Sequence, residues 1–189
     1  MTNGAGPAER AEIYREMARC TYEPQMTAHL NKSAGVRLPG AWSAGGKTYD
    51  PWTVTFFGPM AGEFTATVDG SPDSMSCTNE YRMYWTGFPD FRITDYKVWP
   101  IEDGWIARIT FHGTAPDGTV AEVHQADIAT VDDEGRLVRM EWFVDTNQWQ
   151  RQVWSKASSK SVDEVREILS KPGGFQKLIE HTLSLRKSA

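Results

Sequence analysis

Four apolar-rich runs fill the second half of the chain, FRITDYKVWP, GWIARITFHG, TVAEVHQADIATV and RLVRMEWFVD, and they are separated by IEDG, TAPDG and DDEG. Each break has the Gly and Asp content of a hairpin turn, and each run is long enough for one strand. Strands joined this closely must pair with their chain neighbours and run antiparallel. The spacing predicts a curved antiparallel meander.

Alternation then decides which side chains meet. Val123, Gln125, Asp127 and Ala129 share one face of the third run, and Glu122, His124, Ala126 and Ile128 share the other. Pairing across DDEG brings Met140, Trp142 and Val144 beside the first set, and pairing across TAPDG adds Trp105, Ala107, Ile109 and Phe111. The result is a mostly apolar surface around one carboxyl group, that of Asp127. A carboxylate buried without a partner costs several kcal/mol, so the group finds a donor or holds its proton with a raised pKa. Either state is chemically useful. The opposite face gathers Arg108, Thr110, His112, Glu122, His124, Arg139, Glu141 and Asp145, a mixture suited to solvent or a subunit contact.

Upstream, PAERAEIYREMARCTYEPQMTAHLNKS has Ile13, Met17, Cys20 and Met26 near helical spacing, with Pro24 placed to start a second helix, so two short helices are expected. Residues 34–50 read as a long Gly- and Pro-rich loop in which Trp42 and Tyr49 suit a lid. WTVTFFGPMAGEFTATVDG suggests two strands about a turn. Ser71 and Pro72 open a helix whose buried face carries Met75, Tyr81 and Trp85. SKASSK after Trp154 reads as a linker. Ser161 and Glu164 form a capping box for a helix with Val165, Ile168 and Leu169, and Phe175, Leu178, Ile179 and Leu183 mark a last amphipathic helix. The expected division is a domain over residues 1–154 and a helical extension over 155–189 that packs on the domain or on a partner subunit.

Composition excludes several functions. Net charge is −5 and the 20 basic residues are scattered, which leaves no basic stripe for nucleic acid. The two cysteines, Cys20 and Cys77, form neither a CxxC nor a Cys/His pattern, so neither a disulfide scaffold nor structural zinc is expected. The N-terminal stretch lacks the apolar core of a signal peptide, and no apolar run approaches the roughly 20 residues of a membrane span. The reading is a cytoplasmic chain that needs no nucleotide, flavin or metal and touches no membrane.

The strand ending FFGP, the helix with EYRMYW, FPDF, and the meander with ADIATVDDEGRLVRMEWFVDTNQWQRQ together resemble the SnoaL-like and ketosteroid-isomerase-like branch of the NTF2-like superfamily. The resemblance spans about residues 9–154. It implies an α+β cone, a curved antiparallel sheet wrapped around N-terminal helices with a pocket between them. In ketosteroid isomerases the acid of the oxyanion hole lies eight residues before the turn glycine, and Asp127 holds that place relative to Gly135. The resemblance makes Met140, Trp142 and Val144 pocket-wall positions and Tyr81 a support for the hole; Gln125, Val123 and Phe57 are further substrate-binding candidates. Asp127 would act as a neutral acid toward a developing oxyanion.

The base position of that family, an aspartate just before a proline, is Gly58 here. Asp50, in YDP, is the substitute if the loop folds back, and His124 and Asp145 are substitutes on the pattern of scytalone-dehydratase-like relatives. The function expected is cofactor-independent acid–base catalysis, of lyase, isomerase or cyclase type, on an oxygenated apolar molecule, aromatic or polycyclic, in a homo-oligomer of two or three subunits. The alternative is a non-catalytic NTF2-like ligand-binding or dimerisation module.

Overall fold

The structure, a computed structural model, describes residues 5–32, 42–44, 47–49, 53–58, 62–67 and 77–185, with side chains for 5–32 and 79–185. Its first element is one helix, α1 (Pro7–Thr27), not two. Pro24 lies in the last turn, where its missing N–H costs only the bond to the carbonyl of Cys20, and the helix continues into a 3₁₀ turn over Ala28–Asn31. Proline at the first helical position and Glu9 in the first turn favour the start. Ile13, Tyr14, Met17, Ala18 and Tyr22 are buried along one stripe. On the opposite side Arg19 pairs with Glu16 and Glu23, exposed contacts of small energetic weight.

Two short strands, β1 (Trp42–Ala44) and β2 (Lys47–Tyr49), pair with each other. The main sheet holds β3 (Thr53–Gly58), β4 (Gly62–Thr67), β5 (Arg92–Ile101), β6 (Gly104–Thr114), β7 (Val120–Val131) and β8 (Leu137–Val144), in the order β4-β3-β8-β7-β6-β5. The four-stranded meander runs as its turns require. One feature departs from a purely antiparallel sheet: β3 pairs parallel to β8, with Phe56 opposite Met140. In chain order α2 (Cys77–Gly87) lies between β4, at one edge of the sheet, and β5, at the other. Ser71, Pro72 and Met75 lie outside the described residues.

The turn between β7 and β8 shows how local chemistry fixes register. Gly135 takes φ 82°, a left-handed conformation that glycine adopts without strain, and its N–H donates to Asp132 O at 2.9 Å. Asp132 Oδ1 accepts from the N–H groups of Glu134 and Arg136. With the turn set, Asp127 stands opposite Trp142 and Ala129 opposite Met140. On the other side Asp127 faces Ala107 and Gln125 faces Ile109.

The residues after β8 remain helical through α3 (Thr146–Trp149), a π-helical stretch (Gln150–Trp154) and α4 (Ser155–Ser158), so SKASSK is mostly helix and not a linker. Ala157 and Ser158 are buried, and apolar packing at that level overrides the weak helix propensity of serine. α5 (Val162–Leu169) carries the capping box of Ser161 and Glu164, and α6 (Gly174–Leu185) buries Phe175, Leu178 and Ile179. Phe175 meets the ring of Trp142 at 6.4 Å and that of Trp154 at 5.7 Å. The last helix thus seats against the same strand that faces Asp127.

Candidate active site

The inner face of the sheet, the last turns of α1 and the first turns of α2 enclose a cavity of about 30 Å³. Asp127, Gln125, Met140 and Trp142 line it from the sheet, Tyr22 and Gln25 from α1, and Glu80, Tyr81 and Tyr84 from α2. Small residues make room there: Ala107, beside Asp127 in the sheet, is fully buried.

Asp127 is 2% exposed, and both carboxyl oxygens are engaged. The Tyr22 hydroxyl donates to Oδ2 at 3.0 Å and Gln125 Nε2 donates to Oδ1 at 2.7 Å. Tyr22 is itself oriented by the indole of Trp105, whose Nε1 donates to the phenolic oxygen at 3.2 Å. Burial raises the Asp127 pKa to about 7, with the Gln125 and Tyr22 hydrogen bonds opposing the rise. The Asp127 proton is therefore exchangeable near neutral pH.

A second carboxyl faces the same space. Glu80 is half-buried as a residue, and its carboxyl end is the enclosed part. Burial lifts its pKa to about 7; the hydroxyl of Tyr84, donating to Oε1, opposes this, and the charge of Asp127 adds to it. The phenol of Tyr84 is raised by burial and by the neighbouring Glu80 charge, so it stays a donor. Tyr81 completes the wall by donating to Gln25 Oε1 at 3.0 Å, and Gln25 Nε2 donates to the carbonyl of Thr21. Among the described residues lining the cavity there is no Lys, Arg or His, so the two acids share the space without a described countercharge.

The structure brings together Asp127, Tyr81, Gln125, Met140 and Trp142. Val123 is buried on the same face beside Phe111, and Val144 packs beside Gln125, but neither lines the cavity. His124 lies on the exposed face, with Nδ1 3.3 Å from Thr110 Oγ1, because its even position on β7 turns it away from Asp127. Asp145 is exposed and serves as the N-cap of α3, accepting from the N–H groups of Asn147 and Gln148. Asp50 lies outside the described residues. Phe57 is described in its backbone alone, opposite Glu141 on β8, and Gly58 ends β3 opposite Gly62.

The helices supply Tyr22, Gln25, Glu80 and Tyr84, which reasoning from the strands missed. A signal for two of them existed. Glu80 and Tyr84 stand one turn apart, beside the Tyr81 and Trp85 stripe of the same helix. Tyr22 was missed because the expected stripe ran through Ile13, Met17 and Cys20, whereas the buried face also takes in Tyr14, Ala18 and Tyr22.

Among the described residues, no cluster of three or more His, Cys, Asp or Glu is arranged to hold a metal, and no helix is long and apolar enough to cross a membrane.

No protein-family model and no curated protein matches the sequence. Solved structures do match the fold. A protein assigned as a SnoaL-like polyketide cyclase from Jannaschia sp. CCS1 aligns at a TM-score of 0.50 and 12% identity, over 79% of this chain and 97% of that one. TerC, crystallised with polyporic acid, aligns at 0.48 and 16% identity over 74% of this chain and 97% of its own. An NTF2-like protein of unknown function from Burkholderia pseudomallei aligns at 0.48 and 16% over 75% and 97%. The α+β cone is the fold of the SnoaL-like structure. At these identities the likeness is one of fold.

Proposed function

We propose that this protein is a cofactor-independent acid–base enzyme, of isomerase, lyase or cyclase type, acting on an oxygenated apolar small molecule through oxyanion stabilisation. The observation that carries the reading is the buried Trp105–Tyr22–Asp127 chain of hydrogen bonds, which ends in an acid poised near neutrality inside an apolar cavity. When Asp127 holds its proton, it can donate to Tyr22, and the Tyr22 hydrogen is released toward a substrate oxygen. A preorganised donor in such a place is worth far more to a developing oxyanion than to a neutral carbonyl.

The cavity admits the oxygen-bearing end of the substrate. A volume of about 30 Å³ holds one or two water-sized groups, whereas drug-sized ligands fill ~300 Å³ or more. Met140, unbranched and flexible, is the wall residue best able to yield to an aromatic or polycyclic body. The small volume also favours a second reading, a non-catalytic ligand-binding or dimerisation module of the same fold.

Exposed Trp99, Ile106 and Phe143 lie on the outer side of the sheet and support a homo-oligomer formed through that face. Light scattering on the purified chain reads the oligomer directly.

The test of function is exchange of the hydrogens next to the carbonyl of 2-tetralone in D₂O, followed by NMR. An enzyme accelerates the exchange over buffer and loses the effect in Asp127→Leu. Exchange at the buffer rate sinks the enzymatic reading and leaves the binding module, whereas accelerated exchange undiminished in Asp127→Leu takes Asp127 out of the mechanism.

A further inference from the structure

Oxyanion stabilisation supplies half of a proton-transfer reaction; the other half is a group that takes the proton from carbon. Such a base needs an open lone pair inside the cavity, beside the acid and shielded from water. Both oxygens of Asp127 already hold donors, from Tyr22 and Gln125. His124 and Asp145 are outside the cavity, and Gly58 has no side chain. Glu80 differs from all of these. Its carboxyl lines the cavity, its only hydrogen bond among the described residues is the one from Tyr84 to Oε1, and Oε2 is left for substrate.

We propose that Glu80 is the general base of this site, working across the cavity from Asp127, and that the substrate is an uncharged carbonyl compound with a removable hydrogen on the carbon next to the carbonyl. This rests on the acid–base reading above. The charge requirement comes from the lining itself. Among the described residues Tyr22, Tyr81 and Tyr84 are the remaining titratable groups facing the space, and no cation stands among them. With one proton between the two carboxyls the pair carries one negative charge, which repels an anionic substrate.

The step balances without an external oxidant or reductant. Ionised Glu80 takes the proton from carbon, the C–H electron pair becomes the new C=C bond, and the carbonyl π pair moves onto oxygen. That oxygen receives the hydrogen bond from Tyr22, backed by protonated Asp127. Glu80 then returns its proton to a carbon of the enolate, and both carboxyls end as they began. The pair also has the physical means to hold a single proton: the Asp127 charge opposes ionisation of Glu80, and Tyr84 favours it.

Glu80→Gln keeps the shape and removes the base. The experiment measures 2-tetralone exchange in D₂O together with binding of 2-naphthol, a stable enolate mimic, by tryptophan fluorescence. The expected result is exchange lowered ~10²-fold or more with naphthol binding retained, since the oxyanion donors are intact. Wild-type exchange with Glu80→Gln within threefold of it overturns Glu80 as base and leaves the acid–base reading standing. Wild-type exchange no faster than buffer overturns that reading and the role of Glu80 with it. Tyr84→Phe is the second variant, for use if Glu80→Gln fails to fold. Loss of its donor to Glu80 should move the acidic limb of the exchange–pH profile upward, and an unmoved limb counts against Glu80.

Discussion

The phenol of Tyr22 and the carboxyl of Asp127 meet at 3.0 Å across 105 positions of sequence, joining the first helix to the third strand of the meander. That contact is buried, and Trp105 holds it from behind. Removing the hydroxyl in Tyr22→Phe leaves the Trp105 indole N–H without its acceptor. The expected cost is about 1 to 3 kcal/mol of stability, the usual penalty for a buried donor without an acceptor. A denaturant midpoint shifted at constant slope checks it. An unshifted midpoint would mean that the contact is dispensable.

Asp127→Leu and Asp127→Asn separate acid from scaffold. Leucine suits the apolar surroundings but removes the acid, so turnover on any accepted substrate should fall by ~10² to 10³. Asparagine keeps a donor of similar shape and should retain part of the activity. A leucine variant with full turnover removes Asp127 from the mechanism.

Stability should depend on pH through the two cavity carboxyls. Burial raises Asp127 from 3.8, and Glu80 from 4.5, to about 7 in the folded protein, so between about pH 4 and 7 the native state binds more protons than the unfolded chain. Their contribution is fully present below about pH 4 and declines as pH rises to and through 7, by an amount on the order of a few kcal/mol. The double variant Glu80→Gln/Asp127→Asn should gain on the wild type steadily from pH 5 to pH 8. Parallel melting-temperature curves over that range would contradict the placement of both groups.

His124→Ala should leave catalysis unchanged, because the side chain lies on the far face of β7 from Asp127. Asp145→Ala should also leave catalysis unchanged while costing about 0.5 to 2 kcal/mol through loss of the N-cap on α3. A tenfold or larger loss of turnover in either, with the fold intact, would return that residue to the site.

Phe175→Ala removes a buried ring lying against Trp142 and Trp154 and should destabilise by about 3 to 5 kcal/mol. The perturbation should also reach the cavity wall through Trp142. Thermal unfolding and 2-naphthol affinity measured on one sample test both effects, and a variant unchanged in both would detach α6 from the site.

The meander was legible because turn chemistry and alternation act over a few residues. DDEG and TAPDG fixed the hairpins, and counting by twos then put Gln125, Asp127, Met140 and Trp142 on one face, where the structure has them. The helical half of the site was harder to read. Pro24 signals a break only if the helix has somewhere to go after it, and here the break came so late that Tyr22 and Gln25 stayed on one continuous helix. Glu80 looks like an ordinary surface acid until the helix phase is tied to Tyr84. SKASSK has the composition of a linker and is held helical by contacts from distant parts of the chain, which no local pattern records. The parallel pairing of β3 with β8 is likewise a long-range choice.

Asp127 and Glu80 are aimed by different counting rules. A strand offers two directions, so Asp127 points inward or outward, and a one-residue slip of β7 would replace it with Ala126 or Ile128. A helix offers a graded dial: each residue added ahead of Glu80 within α2 would roll it by about 100° and leave every ladder of the sheet in place. In the proposed division of roles the acid is therefore locked to the register of the sheet and the base only to the phase of α2, so turning that one helix would change which proton is removed and leave the sheet's hold on the resulting charge in place.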